Sequence, residues 1–174
     1  VFAGGGWQLR FDRLTADRLH CDHELIAALP PRLGHAVDRL RVEGPLNMSG
    51  RVQFDSAGPN AGELASSWDV VFDIENGSMQ CGLPLDHIHG EVRLYGGSGP
   101  QGFYSRGELH VDSMFCRDIQ LTNIRGPLLI RPTQIDLGSE AERGRTDAPP
   151  SQITANVFGG ELSVDAHVQL DSET

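Results

Sequence analysis

Histidines, cysteines and carboxylates are this chain's raw material for chemistry, and their spacing limits what they can do. His87-x-His89 sets two imidazoles on one side of an extended segment, and His110 and His167 fall on similar segments. Zinc takes about three or four ligands, so the pair is incomplete by itself, and imidazoles on a wet strand face are the simpler reading. His20, Cys21 and His23 crowd around Asp22. A nucleophile there would need a third group to orient its base, and the sequence offers none. Asp69, Asp73 and Glu75 share the polar side of one alternating stretch. Paired carboxylates can cleave glycosidic bonds, but nothing nearby raises a carboxyl pKa, and a solvated strand face accounts for all three. Glu161 with Asp165, and Asp171 with Glu173, have calcium-ligand chemistry and an equally good role as solubilising surface. Gly4–Gly6, Gly96–Gly97 and Gly159–Gly160 adjoin strands rather than helix starts, which suits turns or bulges and not a phosphate cradle. These residues assign no catalytic group, no metal and no cofactor.

Composition narrows the classes further. The chain has 174 residues, 39% of them hydrophobic, and a formal net charge of −10. All 14 basic residues are Arg. The acidic balance argues against nucleic acid and anionic headgroups as partners, and the lack of Lys removes Schiff-base and Walker-type chemistry. Cys21, Cys81 and Cys116 have no metal-type spacing and read as free, half-buried thiols. No apolar run approaches the roughly 18–20 residues of a membrane span. The start at Val1 sets the expectation of an internal segment of a larger protein, with any targeting segment on the part cut away.

The elements that must position these residues are mostly strands. Val157 to Asp171 reads VFGGELSVDAHVQLD, with Leu162, Val164, Ala166, Val168 and Leu170 at every second place. Period two predicts a strand with one buried face and one wet face. Trp7, Leu9 and Phe11 alternate likewise, and Leu14 to Cys21 is expected to pair back onto them across a turn at Asp12-Arg13. Residues 22 to 40 form the single helical element: Asp22 as N-cap, then two short helices divided at Pro30-Pro31. Strands resume with Val52 and Phe54, then Trp68, Val70, Phe72 and Ile74, and Asn76-Gly77 predicts a tight turn. Further alternation marks Ile88 to Leu94, Leu109 with Val111, Ile119 with Leu121, and Ile135 with Leu137, with a loop at Gly96–Gly102. Residues 139 to 151 are mixed in charge, end in Pro149-Pro150, and read as a flexible loop. The spacing fits about eleven to thirteen strands. The fold class is therefore all-β: a twisted, mostly antiparallel meander forming a taco-like sheet, an open barrel or a sandwich, in a single β-rich segment spanning 1 to 174.

A phrase recurs irregularly. FAGGGWQL, MSGRVQF, HIHGEVRL, YSRGELHV and VFGGELSV each place Gly ahead of a polar–apolar–polar–apolar run. Gly at a strand entrance supplies positive φ or a bulge. With these residues in hand, the segment from Asp118 to Ser139 followed by ITANVFGGELSVDAHVQLD resembles the AsmA-like bacterial envelope proteins, a superfamily with TamB- and YhdP-type relatives. Ala155, Phe158, Gly159, Gly160 and Leu162 occupy the positions of its a-x-x-F-G-G-x-L strand. The earlier ALPPRLGHAVDRLRVEGPLNMSGRVQFD is similar to the helix-plus-strand unit of very large members. The resemblance implies a curved sheet with an apolar concave side in the periplasm of a Gram-negative-type cell envelope, and a part in inter-membrane phospholipid transport or outer-membrane homeostasis.

The resulting expectation is a non-enzymatic segment whose apolar face shields phospholipid acyl chains. Leu109, Val111, Ile119, Leu121, Leu162, Val164 and Val168 would supply the contact, and neighbouring segments of the same chain would be further partners. The same side chains would be ordinary core if the sheet closed on itself. Two rivals remain: a β-scaffold pairing its edges with other strands, and a carbohydrate-active β-sandwich. The last needs an exposed aromatic platform, and Trp7, Trp68, Tyr95 and Tyr104, beside seven Phe, are expected to lie mostly on the apolar face.

Overall fold

The computed structural model describes residues 6–28, 31–56, 64–100, 102–142 and 151–169. Its first half runs β1 (Trp7–Leu19), α1 (His23–Ala28), α2 (Pro31–Leu40), β2 (Leu46–Ser56), β3 (Leu64–Gln80) and β4 (Pro84–Gly99). The second half runs β5 (Gly102–Cys116), β6 (Ile119–Arg131), β7 (Gln134–Leu137), a 3-10 turn at Ser139–Glu142, β8 (Ile153–Val157), β9 (Gly160–Val164) and β10 (Ala166–Gln169). All ten strands belong to one open antiparallel sheet with the order β1-β2-β3-β4-β5-β6-β7-β10. The all-β expectation holds, in the form of an open sheet rather than a closed barrel or two packed layers. The far side of β6 divides: its C-terminal end pairs with β7, and its earlier half pairs with β8, which carries β9.

Register explains why one face is apolar. Met48, Phe72, Val92 and Leu109 stand directly opposite one another across β2 to β5, and the row beside it holds Leu46, Ile74, Gly90, Val111 and Ile124. Side chains opposite each other share a face, so alternation within each strand becomes a continuous apolar surface. Its best-covered part is a cluster of Ile88, Val111, Ile124, Ile153 and Ala155, with Ile74, Met79, Leu85, Leu109, Met114, Leu121 and Leu137 packed around it.

Strict period two would fail over strands of 13 to 17 residues, and β-bulges repair it. Arg18, Asn76, His87 and Asn123 have φ of 55°, 61°, 51° and 53°, and each lies inside a strand. An extra left-handed residue shifts the alternation by one, so Leu85 and Ile88 reach the same cluster, as do Leu121 and Ile124. Asn76 therefore does not make the expected turn: β3 continues through it, and its Oδ1 lies 2.7 Å from His87 Nδ1 on the neighbouring bulge. The turn expected at Asp12-Arg13 is also absent. β1 is continuous, and the register jumps between Phe11 and Leu14 as two residues are accommodated where β2 supplies one. Bulges thus absorb residues assigned to turns, which leaves fewer and longer strands than the eleven to thirteen expected. The loop expected at Gly96–Gly102 shrinks because β4 extends to Gly99.

Of the recurring glycines, Gly160 opens β9 and Gly6 directly precedes β1, as expected, whereas Gly50, Gly90 and Gly107 sit in mid-strand. Gly96, in β4, shows one use of a mid-strand glycine. It lies between Trp68 and Ser105 in the cross-strand row. Without a side chain there, the Trp68 indole spans the gap and donates from Nε1 to Ser105 Oγ at 3.1 Å, leaving Ser105 2% exposed. Phe103 stacks on the indole with ring centroids 5.6 Å apart.

The helical expectation holds for the described residues, and Leu29 and Pro30, before the expected break, lie outside them. Asp22 Oδ1 accepts from the Leu25 N–H at 2.9 Å as an N-cap, and Pro31 opens α2 where its missing N–H costs least. Leu40, at the end of α2, packs against Ile135, as do Ile130, Leu137 and Val168. The 3-10 turn touches β6 and β7 and buries Ala141. It occupies the start of the expected 139–151 loop, and residues 143–150 of that loop lie outside the described residues.

A Cβ at Gly96 would stand 2.2 Å from the Tyr104 carbonyl oxygen, on backbone that cannot step aside. Gly96→Ala should therefore lower the free energy of unfolding by about 1–3 kcal/mol, read from the midpoint of urea denaturation. An unchanged midpoint would show that the close backbone approach of Tyr104 to Gly96 does not constrain the sheet.

Candidate functional site: the partly covered apolar face

Exposure along the apolar face is uneven. Around β4 to β6 and β8, Ile88, Val111, Ile124, Ile153 and Ala155 are all 6% exposed or less. At the β1 side, Trp7, Leu9 and Phe11 are 48%, 45% and 40% exposed, and Leu64 is 51% exposed. Opposite them stand Ser56, Phe54 and Val52 on β2. Leu40 of α2 covers the same face at its β7 end, packing against Ile135, so covered and uncovered apolar surface belong to one face.

The seven expected contact residues scatter across this gradient. Leu109, Val111 and Leu121 meet in the central cluster, with Val111 buried. Val168 joins Ile135 and Leu40 instead. Ile119 is exposed opposite Cys116, while Leu162 and Val164 are exposed opposite Ala155 and Ile153. Trp7, Leu9, Phe11 and Leu64 were not singled out by sequence, though the first three carry a clear alternating signal. What sequence could not show is that β1 ends the sheet and lacks a second apolar neighbour among the described residues.

Several of the polar groups considered for chemistry are engaged in holding strands together. Asp69 binds Arg93 through two bonds of 3.1 Å and Arg51 through one of 2.9 Å. The hydrogen bonds from Arg93 and Arg51 hold its carboxyl below the usual carboxylate range, the reverse of what a general acid requires. Asp165, one of the calcium candidates, accepts from the Ser139 N–H at 2.7 Å and from Gln152 at 3.1 Å. Asp171 and Glu173 lie outside the described residues. His87 packs edge-on against Phe115, and both border a shallow groove of about 510 Å3 that Asp86 and Arg117 also line. Among the described residues no group of three or more His, Cys, Asp or Glu could hold a metal ion. The three cysteines are free and half-buried, and burial, aided by Asp22, raises the Cys21 thiol pKa and so disfavours the reactive thiolate.

One buried polar centre was not foreseen. Asp136 on β7 is 3% exposed and accepts from Gln134 at 2.8 Å and His167 at 2.8 Å, with Arg131 at 3.2 Å. Burial alone would raise its pKa; the hydrogen bonds from Gln134 and His167 and the charge of Arg131 outweigh that and bring it down. The group fastens β10 to β7 beside the Val168–Ile135 contact.

A carboxyl whose pKa is lower folded than unfolded stabilises the fold at neutral pH and loses that contribution as pH falls below about 4. Asp136→Asn should cost about 1–3 kcal/mol at pH 7, and the difference from wild type should close in acid as both are titrated by urea denaturation. A pH-independent difference would mean the charge contributes nothing. No helix among the described residues is long and apolar enough to cross a membrane. No family model, no curated protein and no solved structure matches this chain.

Proposed function

We propose that this chain is a non-enzymatic segment of a bacterial envelope protein that shields phospholipid acyl chains along the uncovered part of its apolar face. The observation that carries the reading is the one-sided exposure of Trp7, Leu9, Phe11 and Leu64 beside an otherwise apolar surface. Covering such side chains gains roughly 25 cal/mol per Å2 without demanding a hydrogen-bond pattern, which suits flexible acyl chains. The resemblance of residues 118–139 and 153–171 to AsmA-like proteins supports the same role and a periplasmic setting. Leu162 and Val164 on β9 would extend the contact on the far side of β6.

A second reading, a β-scaffold that recruits another strand, draws on a different observation. β1 offers 13 residues and pairs only with β2 among the described residues. The outer edge of such a strand can accept a strand from a neighbouring segment or a partner. The bulges at Asp12-Arg13 and Arg18 divide the regular pairing of β1 into Trp7 to Phe11 and the shorter Leu14 to Ala16.

The readings separate in one experiment. The chain is incubated with phosphatidylethanolamine–phosphatidylglycerol vesicles, re-isolated and analysed by native mass spectrometry. Lipid carriage predicts bound phospholipid, reduced at least ten-fold in Leu9→Asp/Phe11→Asp with the circular dichroism spectrum unchanged. No bound phospholipid, or equal capture by the variant, would contradict it. A shift of the lipid-free chain to dimer would favour the scaffold.

A further inference from the structure

The carbohydrate rival needs an exposed aromatic platform, and two of the four Trp and Tyr rings lie off the apolar face. Tyr95 on β4 stands opposite Asp69 and Arg106, and Tyr104 on β5 stands opposite Gly97, all on the polar face. They are 37% and 53% exposed. Folding gains little from two rings held in water. Diagonal neighbours on one face of a sheet lie about 7–8 Å apart, so the rings form one strip, and Gly97 places no side chain opposite Tyr104.

The strip borders a groove of about 300 Å3 walled by Arg10, Arg51, Gln53, Ser67 and Asp69. Ser67 and Asp69 on β3 are the cross-strand neighbours of Gly97 and Tyr95, so groove and strip are continuous. The groove's charges are largely compensated: Arg10 pairs with Asp12, Asp69 with Arg51 and Arg93, and Glu108 stands opposite Arg93. The three bonds from Arg51 and Arg93 hold the Asp69 carboxylate in place, which lowers its ordering cost on binding.

Fixed donors and acceptors with little net field, next to exposed aromatic faces, select a particular chemistry. A polyanion such as single-stranded RNA needs a positive groove besides its stacking platform, and this chain has a net charge of −10. An apolar ligand would strip water from guanidiniums. A sugar ring offers C–H faces to the tyrosines and hydroxyls that both donate and accept. We infer that the polar face carries a second binding site, formed by Tyr95, Tyr104, Ser67, Asp69 and Arg51, for an oligosaccharide of uncharged sugar rings. It lies on the side of the sheet opposite the acyl-chain surface and does not depend on that reading.

The test is titration of the isotope-labelled whole chain with neutral tetrasaccharides of glucose, galactose, mannose and N-acetylglucosamine. A tetragalacturonate and an oligouridylate are titrated in parallel, all followed by amide chemical shifts and calorimetry. At least one neutral sugar should bind at millimolar concentration or below, with shifts confined to β3–β5 around Tyr95 and Tyr104. Tyr95→Ala and Tyr104→Ala should each weaken it at least ten-fold, Tyr104→Phe should retain it, and Leu9→Asp/Phe11→Asp should leave it unchanged. The proposal is overturned if no neutral sugar binds, if either alanine variant binds as wild type does, if the shifts fall elsewhere, or if the uronate or the RNA binds more tightly.

Discussion

Keeping apolar side chains on one side of strands up to 17 residues long is the constraint from which the rest of this structure follows. A regular strand turns every second side chain the same way, and a single misplaced residue would send the remainder of the strand to the wrong face. Here the phase is reset where it would slip, by residues of positive φ at Arg18, Asn76, His87 and Asn123. Two of these resets face each other, joined by the Asn76–His87 contact, so neighbouring strands change phase together. The antiparallel ladder survives, and the apolar surface runs unbroken from β1 to β7.

A single layer treats its two faces differently. The apolar face gathers a true core only where β8 lies beside β6 and where Leu40 meets β7, and among the described residues no large side chain is less than 2% exposed. Stability must then lean on backbone hydrogen bonds and on cross-strand polar pairs more than in a two-layer domain. The polar face supplies those pairs: Asp69 between two guanidiniums, and Asp136 between Arg131, Gln134 and His167. Asp69, a carboxylate that looked available for catalysis, is instead a tie between strands. Surfaces left over by this economy, Trp7 to Phe11 on one side and Tyr95 with Tyr104 on the other, are where ligands are proposed.

Period two made the strand class legible in the sequence, and the Asp22 cap and Pro31 made the helices legible to the residue. Topology was less so. Asn76-Gly77 and Asp12-Arg13 have the composition of turns, and only pairing on both sides of a strand distinguishes a turn from a bulge. Long strands hide bulges for the same reason: the alternation appears to stop at His87 or Asn123 and restart in opposite phase. Of the contact residues, Leu109, Val111 and Leu121 alternate as strongly as Leu9 and Phe11, yet the former are covered by neighbours that sequence periodicity cannot rank. Asp136 left no signal at all, because its partners Gln134, Arg131 and His167 become meaningful only once β10 pairs with β7. Tyr95 and Tyr104 could have been placed on the polar face by counting in twos from Leu94 and Leu109, although a count alone says nothing of their exposure.

The claim most open to measurement is that one face is apolar along its length and covered along only part of it. Hydroxyl-radical footprinting of the lipid-free chain in solution, read by mass spectrometry, reports side-chain access directly. Trp7, Leu9, Phe11 and Leu64 should be oxidised at rates approaching those of an unfolded peptide, while Ile88, Val111 and Ile124 are strongly protected. Equal protection of both groups would mean that the β1 side is already covered, and equal labelling would mean that the central cluster does not exist; either result contradicts the account.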